Sequence, residues 1–273
     1  MTTIDRLKTF TRRTPKGLAT LRRTPAEFWR GYNYGRKFIA DKHSYPEPKS
    51  SGRLEQYFDE LASGPGVWKW QHYFPVYERH LSKYRGKEVH ILEVGIYSGG
   101  SLGMWHAYFG DEAHVYGVDI EPACRSYEND STKIFIGDQA DPRFWEEVVR
   151  QVPKLDVVID DGGHQSFQQI ATLEAVLPHL QPGGVYLCED VHDFFNTFHA
   201  YISGLSRNLH TMQPTDEDRF VVNATEFQQA IGSIHSYPFV TVIEKCDREI
   251  KQFTAPKHGT EWQPFGAEWF AAS

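Results

Sequence analysis

The chain has 273 residues, 40% of them hydrophobic, and a formal net charge of −7. That length holds one large domain with an extension or two small ones, with enough apolar content for a full core. The three cysteines, Cys124, Cys188 and Cys246, share no short spacing, and neither a disulfide framework nor a zinc site follows from them. No apolar run approaches the roughly 20 residues that span a membrane, and no signal-peptide apolar region is present, so a reducing, cytoplasmic location is expected.

Charge is unevenly spread. Residues 1–50 hold 12 Lys+Arg and 4 Asp+Glu, or +8, and the remainder holds 17 basic and 32 acidic residues, or −15. A basic arm on an acidic body can pack on that body or on a partner subunit, attract an anionic acceptor, or form a solvated face. The first is favoured, and with it a homo-oligomer such as a dimer. An acidic body argues against nucleic acid as a partner. Pro15, Pro25, Pro46 and Pro48 divide residues 1–50 into short helices joined by turns, and Ser51–Leu61 reads as one more short helix. A basic helical extension over residues 1–65 is expected, followed by a catalytic domain over 66–273.

From Val67 to Tyr84, Tyr73, Val76, Tyr77 and Leu81 recur at helical spacing, with Pro75 in the first turns. The rhythm then alternates. Strands are expected at Val89–Ile96, Val115–Ile120, Lys133–Gly137, Asp156–Asp160 and Val185–Glu189, and helices at Ser101–Phe109, Pro142–Val152 and Ser166–Leu180. Apolar runs without polar alternation indicate strands buried on both faces, as in a parallel sheet between helix layers. Ser233–Tyr237 and Phe239–Cys246 flank a turn at Pro238 too short for a crossover, so they form an antiparallel hairpin.

Two turns carry chemistry. Val89–Gly100 reads VHILEVGIYSGG, a buried strand running into a Gly/Ser turn and a helix. Such a turn lets a ligand approach the backbone at a helix N-terminus. The spacing is not GxGxxG, which weighs against a strict dinucleotide site. Asp119 closes the second strand, where a carboxylate can accept both hydroxyl protons of a ribose. Gly137-Asp138-Gln139 ends the third strand with polar groups suited to a base edge. The second turn is double. The runs Val157–Ile159 and Val185–Leu187 end in Asp160-Asp161 and Glu189-Asp190, with His164 three residues after the first pair. On neighbouring parallel strands these ends lie about 4.8 Å apart. Neither acidic turn contains Lys or Arg, so the cluster needs a cation or raised pKa values.

Glu93-Val-Gly95, Asp119, Asp138 and Leu180-Gln-Pro-Gly-Gly184 before the fifth strand resemble the motifs of class I S-adenosylmethionine-dependent methyltransferases. More narrowly, Leu92-Glu-Val-Gly-Ile-Tyr-Ser-Gly-Gly-Ser-Leu102 with Trp105, Asp160-Asp-Gly-Gly-His164, Glu189-Asp190 and Ser233-Ile-His-Ser-Tyr237 resemble the metal-dependent sugar O-methyltransferases of antibiotic pathways, the mycinamicin and tylosin deoxysugar type. The resemblance covers roughly residues 65–246. It implies an α/β fold: a doubly wound, mostly parallel seven-stranded sheet with a C-terminal antiparallel hairpin, preceded here by the helical extension. It implies S-adenosylmethionine held by Glu93, Gly95, Ser98, Gly99, Asp119, Asp138 and Gln139, with Tyr73 as a further contact. It also implies Mg²⁺ or Mn²⁺ on Asp161, Glu189 and Asp190, and His164 as general base. Carboxylate oxygens are hard ligands suited to Mg²⁺, and histidine takes a proton near neutral pH. Asp160 is left to orient a neighbour, and His192 is the rival base.

The implied acceptor is a sugar hydroxyl of a glycosylated natural product or glycan. The insertion 191–230 is expected to cover it, with Phe194, Phe195, Phe198 and Tyr201 as its wall. The same site on a catechol or phenol, a nucleotide-dependent oxidoreductase, and a non-catalytic cofactor-binding module are the rival readings. Catechol-type enzymes carry a lysine three residues after the first ligand; here that position is His164, which favours the aliphatic hydroxyl.

Overall fold

The computed structural model describes residues 15–37, 52–192, 196–212, 221–256 and 258–259, with the backbone alone for 15–24. Phe194 and Phe195 lie outside the described residues. The chain divides into two units, Met1–Lys49 and Ser50–Ser273. In the smaller unit α1 (Pro15–Gly35) is one helix of 21 residues, not a series of short ones. Pro25 lies inside it, where the missing N–H removes a single ladder bond. Among the described residues no helix is long and apolar enough to cross a membrane.

In the larger unit α2 (Arg53–Glu60) buries Leu54. The helix expected from Val67 to Tyr84 is shorter. A 3₁₀ turn at Gln71–Tyr73 leads into α3 (Phe74–Leu81), with Pro75 in its first turn. Proline lacks the N–H that an earlier start would need, so the helix opens there. The chain before the turn, including Lys69 and Trp70, is irregular and free to reach across the sheet edge.

The strands are β1 (Val89–Val94), β2 (Ala113–Asp119), β3 (Thr132–Ile136), β4 (Leu155–Asp160), β5 (Leu180–Val191), β7 (Ile231–Tyr237) and β8 (Phe239–Lys245), in the order β3-β2-β1-β4-β5-β8-β7. The first five are parallel; β8 runs antiparallel to β5, and β7 to β8. A short pair, β6 (Val221–Asn223) with β9 (Gln252–Thr254), was not expected. Helices α4 (Gly100–Phe109), α5 (Pro142–Gln151), α6 (Ser166–Val176), α7 (Phe198–Leu209) and α8 (Glu226–Ala230) complete the unit. Pro178 confines the end of α6 to a 3₁₀ turn at Leu177–His179, and β5 starts at Leu180 rather than Val185.

Both sheet faces are covered, as the unbroken apolar runs demand. On one, Tyr77 and Leu81 of α3 and Leu102, Trp105 and Phe109 of α4 join Val89, Ile91 and Ile159. On the other, Trp145 and Val148 of α5 and Leu173 and Val176 of α6 join Leu92, Val158 and Tyr186. Phe198 is fully buried in that second layer, and Tyr201 stacks on it and donates to Glu174. Phe198 is therefore a core residue and Tyr201 packs half-buried against that layer, and neither lines the cleft. The strand order reverses between β1 and β4, and the crevice above such a reversal is where open α/β sheets bind ligands.

The Ser233-Ile-His-Ser-Tyr237 motif ties α3 to the hairpin. Nδ1 of His80 lies 3.2 Å from Glu244 Oε1 and its Nε2 2.9 Å from the Tyr237 hydroxyl, while Ser233 Oγ donates to Glu244 Oε2 at 3.1 Å. His235 faces the same carboxylate, and Lys83 and Arg79 bound the cluster. Burial lowers the His80 pKa below its ordinary value, although Glu244 pulls the other way. The unfolded chain then takes up the proton first, so this contribution to stability is present above about pH 6.5 and lost as the pH falls below it. Urea unfolding from pH 7.5 to 5.5 is expected to show a shallower loss of stability in His80→Gln than in the parent. Equal slopes would assign the acid sensitivity elsewhere, with the burial-lowered His90 and His106 as the next groups to examine.

Candidate active site

The glycine turn and the acidic turn interlock. Gly95 has φ +83°, and a Cβ there would collide with the carbonyl of Asp161. Gly95 N–H donates to Val118 O at 2.8 Å and Asp161 N–H to Val94 O at 3.0 Å, so the turns after β1 and β4 are held as one piece. Gly95 is therefore required first by neighbouring backbone. Above it lies a cleft of about 600 Å³, a size typical of small-molecule sites.

Among the expected cofactor residues, Gly95, Ser98, Asp119, Asp138, Gln139 and Tyr73 line this cleft; Glu93 and Gly99 do not. Gly99, at φ +74°, caps α4 at a place where a Cβ would collide with the Tyr127 ring. Glu93 is fully buried beneath the floor, where Oε2 accepts from Ser101 Oγ at 2.6 Å. Asp119 accepts from the N–H groups of Tyr97 and Glu121 at 3.0 and 2.9 Å and stays half-exposed at the end of β2. Asp138 accepts from Ala140 N–H. Gln139 has no free amide group: its nitrogen donates to Asp160 and Thr172, and its oxygen accepts from Gly163 N–H at 2.6 Å. It braces the acidic turn rather than presenting a base edge. Asp160, expected to orient a neighbour, accepts from that Gln139 nitrogen. Buried, and bonded also by the Tyr186 hydroxyl, it has its pKa pushed up to about 7 by desolvation.

The structure supplies a cation that neither acidic turn contains. Lys69, reaching in ahead of α3, places its Nζ 2.6 Å from Asp161 Oδ2, 3.1 and 3.2 Å from the two Glu189 oxygens and 3.4 Å from Glu93 Oε1, with its side chain 3% exposed. Burial works to lower its pKa, but the three carboxylates outweigh it and hold the ammonium well above its ordinary value. Burial, with the charge of Asp161, pushes Glu189 up. The same segment contributes further donors. The Tyr77 hydroxyl reaches Glu189 Oε1 at 2.7 Å, and the Tyr73 hydroxyl and Trp70 Nε1 reach Asp190 Oδ1 at 2.7 and 2.9 Å. Tyr73 thus touches an acid while lining the cleft. Lys69 and Tyr77 were missed. The available signal was a lone lysine inside the aromatic run Val67-Trp-Lys-Trp70, with Tyr73 and Tyr77 one turn apart.

Backbone strain gathers here. Tyr97, His164 and Asp190 are non-glycine residues at φ +42°, +55° and +53°, and such strain clusters at functional sites. His164 Nε2 lies 3.6 Å from Asp190 Oδ2, and its Nδ1 is buried without a partner. One ligand atom from each of Asp161, His164 and Asp190 falls within 4.8 Å of the others. Of the three expected ligands, Asp161 and Asp190 share this locus, while Glu189 faces Lys69 and Tyr77. Four carboxylates against one ammonium, with hard oxygen donors, fit a divalent ion that keeps several waters. The Lys69 ammonium already stands among these acids as a cation. His192 also lines the cleft, at its exposed rim.

Comparison with known proteins agrees with this geometry. Residues 92–191 match the family described as a methyltransferase domain. Demethylmacrocin O-methyltransferase of Streptomyces fradiae is 39% identical over 143 residues, 49% of this chain and 36% of that protein. The 8-demethyl-8-alpha-L-rhamnosyl tetracenomycin-C 2'-O-methyltransferase of Streptomyces olivaceus is 30% identical over 205 residues, 68% of this chain and 53% of that protein. The chain thus spans between about a third and about half of these relatives. Among solved structures, the MycE methyltransferase of the mycinamycin biosynthetic pathway, in complex with Mg and SAH, superposes with a TM-score of 0.59 at 26% identity, covering 72% of this chain and 55% of that one.

Proposed function

We propose that this chain, whose residues 92–191 are a methyltransferase domain on a class I methyltransferase fold, methylates a sugar hydroxyl of a glycosylated natural product or glycan, using S-adenosylmethionine and Mg²⁺ or Mn²⁺. The observation that carries this reading is the interlock of the glycine turn with the acidic turn. It joins a nucleoside-sized cleft and a cation-demanding corner into one site. The sugar O-methyltransferases among the relatives support the acceptor class.

When bound, S-adenosylmethionine supplies an electrophilic methyl on a sulfonium and the divalent ion supplies polarisation of the acceptor oxygen. The residues do the rest. Asp119, on the rim of β2, accepts the hydroxyl protons of a ribose. Asp161 and Asp190 would hold the ion, with Glu189 behind them fixed by Lys69 and Tyr77. His164 takes the acceptor proton at Nε2, and Asp190, 3.6 Å away, stabilises the resulting imidazolium. Tyr73 and Trp70 fix the Asp190 carboxylate by donating to its Oδ1. Holding nucleophile and methyl in line supplies much of the rate.

The test is transfer of labelled methyl from S-adenosylmethionine to rhamnosylated macrolides and aromatic polyketides. Activity is expected with Mg²⁺ and is expected to disappear in EDTA and return when Mg²⁺ is restored. Turnover indifferent to EDTA would remove the metal from the mechanism, and transfer to catechol alone would replace the sugar.

A further inference from the structure

We propose that Trp70, His72, His192 and Phe239 form an aromatic shelf that seats the ring of the acceptor sugar beside the acidic corner. The inference rests on the reading of the cleft as a site of sugar O-methylation and names the surface that selects its substrate.

The first observation is exposure in the wrong place for a core. Trp70 is 53% and Phe239 38% exposed, and both histidines are exposed. The four rings nevertheless contact one another. Centroids lie 5.8 Å apart for Trp70 and Phe239, 5.6 Å for His72 and Phe239, 6.0 Å for His192 and Phe239 and 6.0 Å for Trp70 and His72. Trp70 and His192 line the cleft, and His72 and Phe239 extend the ring contacts beyond it; exposed aromatic surface beside a cleft suits a ligand.

The second observation is strain. Tyr237 pairs with Val240, so Pro238 and Phe239 are the two central residues of the hairpin turn. Proline first and positive φ second is the type II pattern, whose second position ordinarily takes glycine. Here it holds Phe239 at φ +62°. A phenylalanine kept where glycine is favoured is present for its ring. His72 supports that turn, its Nε2 lying 3.1 Å from the carbonyl of Pro238.

The third is continuity with the chemistry. The β5–β8 ladder shifts register between Cys188 and Val191, and Phe239 pairs with Val191 directly beyond the strained Asp190. Trp70 donates to Asp190 itself, so the shelf is in direct contact with the proposed ion locus. An aromatic face packs against the C–H face of a sugar while its hydroxyls remain free for the acids and His164.

The experiment uses the full chain with S-adenosylhomocysteine and Mg²⁺, and methyl α-L-rhamnopyranoside as probe, read by saturation-transfer NMR. The informative variant is Phe239→Gly, because glycine relieves the positive φ. It is expected to keep or raise the melting temperature and to hold S-adenosylhomocysteine affinity within about twofold. It is expected to weaken the glycoside about tenfold or more. Trp70→Phe, which keeps a ring, should bind the probe better than Trp70→Ala. Glycoside binding unchanged in Phe239→Gly would overturn the shelf, as would binding of catechol but not of the glycoside. Failure of the parent protein to bind S-adenosylhomocysteine would instead overturn the cleft reading beneath it.

Discussion

Replacing Lys69 with Met is expected to destabilise the chain by about 3–5 kcal/mol, the usual consequence of removing one partner from a buried charge cluster. The Nζ is the shared cation of Asp161, Glu189 and Glu93, all within 3.4 Å, on a side chain only 3% exposed. Methionine matches the volume, so the loss reads charge rather than packing. The variant should also answer to metal differently. Three carboxylates without their ammonium attract a divalent ion more strongly, and binding to the native state alone adds about 2.7 kcal/mol at a hundredfold excess over Kd. Urea midpoints measured in EDTA and in Mg²⁺ should therefore diverge more for Lys69→Met than for the parent. A variant as stable as the parent in EDTA would show that the ammonium does not hold this corner.

Replacing His164 with Gln is expected to lower kcat by about 10²–10⁴-fold, the range for loss of a general base, while S-adenosylmethionine affinity is kept. The residue stands at φ +55° on the wall of the cleft, with Nε2 toward Asp190 and Nδ1 buried without a partner. His164 holds Asn196 through its backbone carbonyl, which the substitution keeps, and Gln169 and Ser166 hold Asn196 as well. His192→Ala, at the exposed rim, should cost far less. If the two effects are reversed, His192 is the base and His164 a turn residue.

The parallel strands and their helices were legible because unbroken apolar runs such as Val157–Ile159 and Val185–Leu187 permit little else than a two-sided sheet, and the turn at Pro238 permits only a hairpin. Helix limits were less so. Pro75 and Pro178 trimmed two helices, whereas Pro25 failed to break α1. The acids and His164 converge as their positions at the end of β4, in the turn after it and in the last residues of β5 require, but their partners come from another stretch of chain. Lys69 is 92 residues from Asp161 and 120 from Glu189, a pairing that no local pattern records. Gly95 illustrates the converse. Its position was readable, but its reason, the Asp161 backbone crossing above it, exists only once two distant turns meet. Phe198 and Tyr201 show that near-helical aromatic spacing cannot separate a core face from a binding wall. The wall-like aromatics, Trp70 and Phe239, lie on an irregular approach and on a hairpin turn.

The central claim, that the cleft above the interlocked turns is an S-adenosylmethionine site, is tested most directly by calorimetric titration of the full chain. Saturable binding of S-adenosylmethionine at one site per chain is expected, weakened in Asp119→Ala and absent for NAD and NADP. No heat with S-adenosylmethionine, or binding of a nicotinamide dinucleotide in its place, would contradict it.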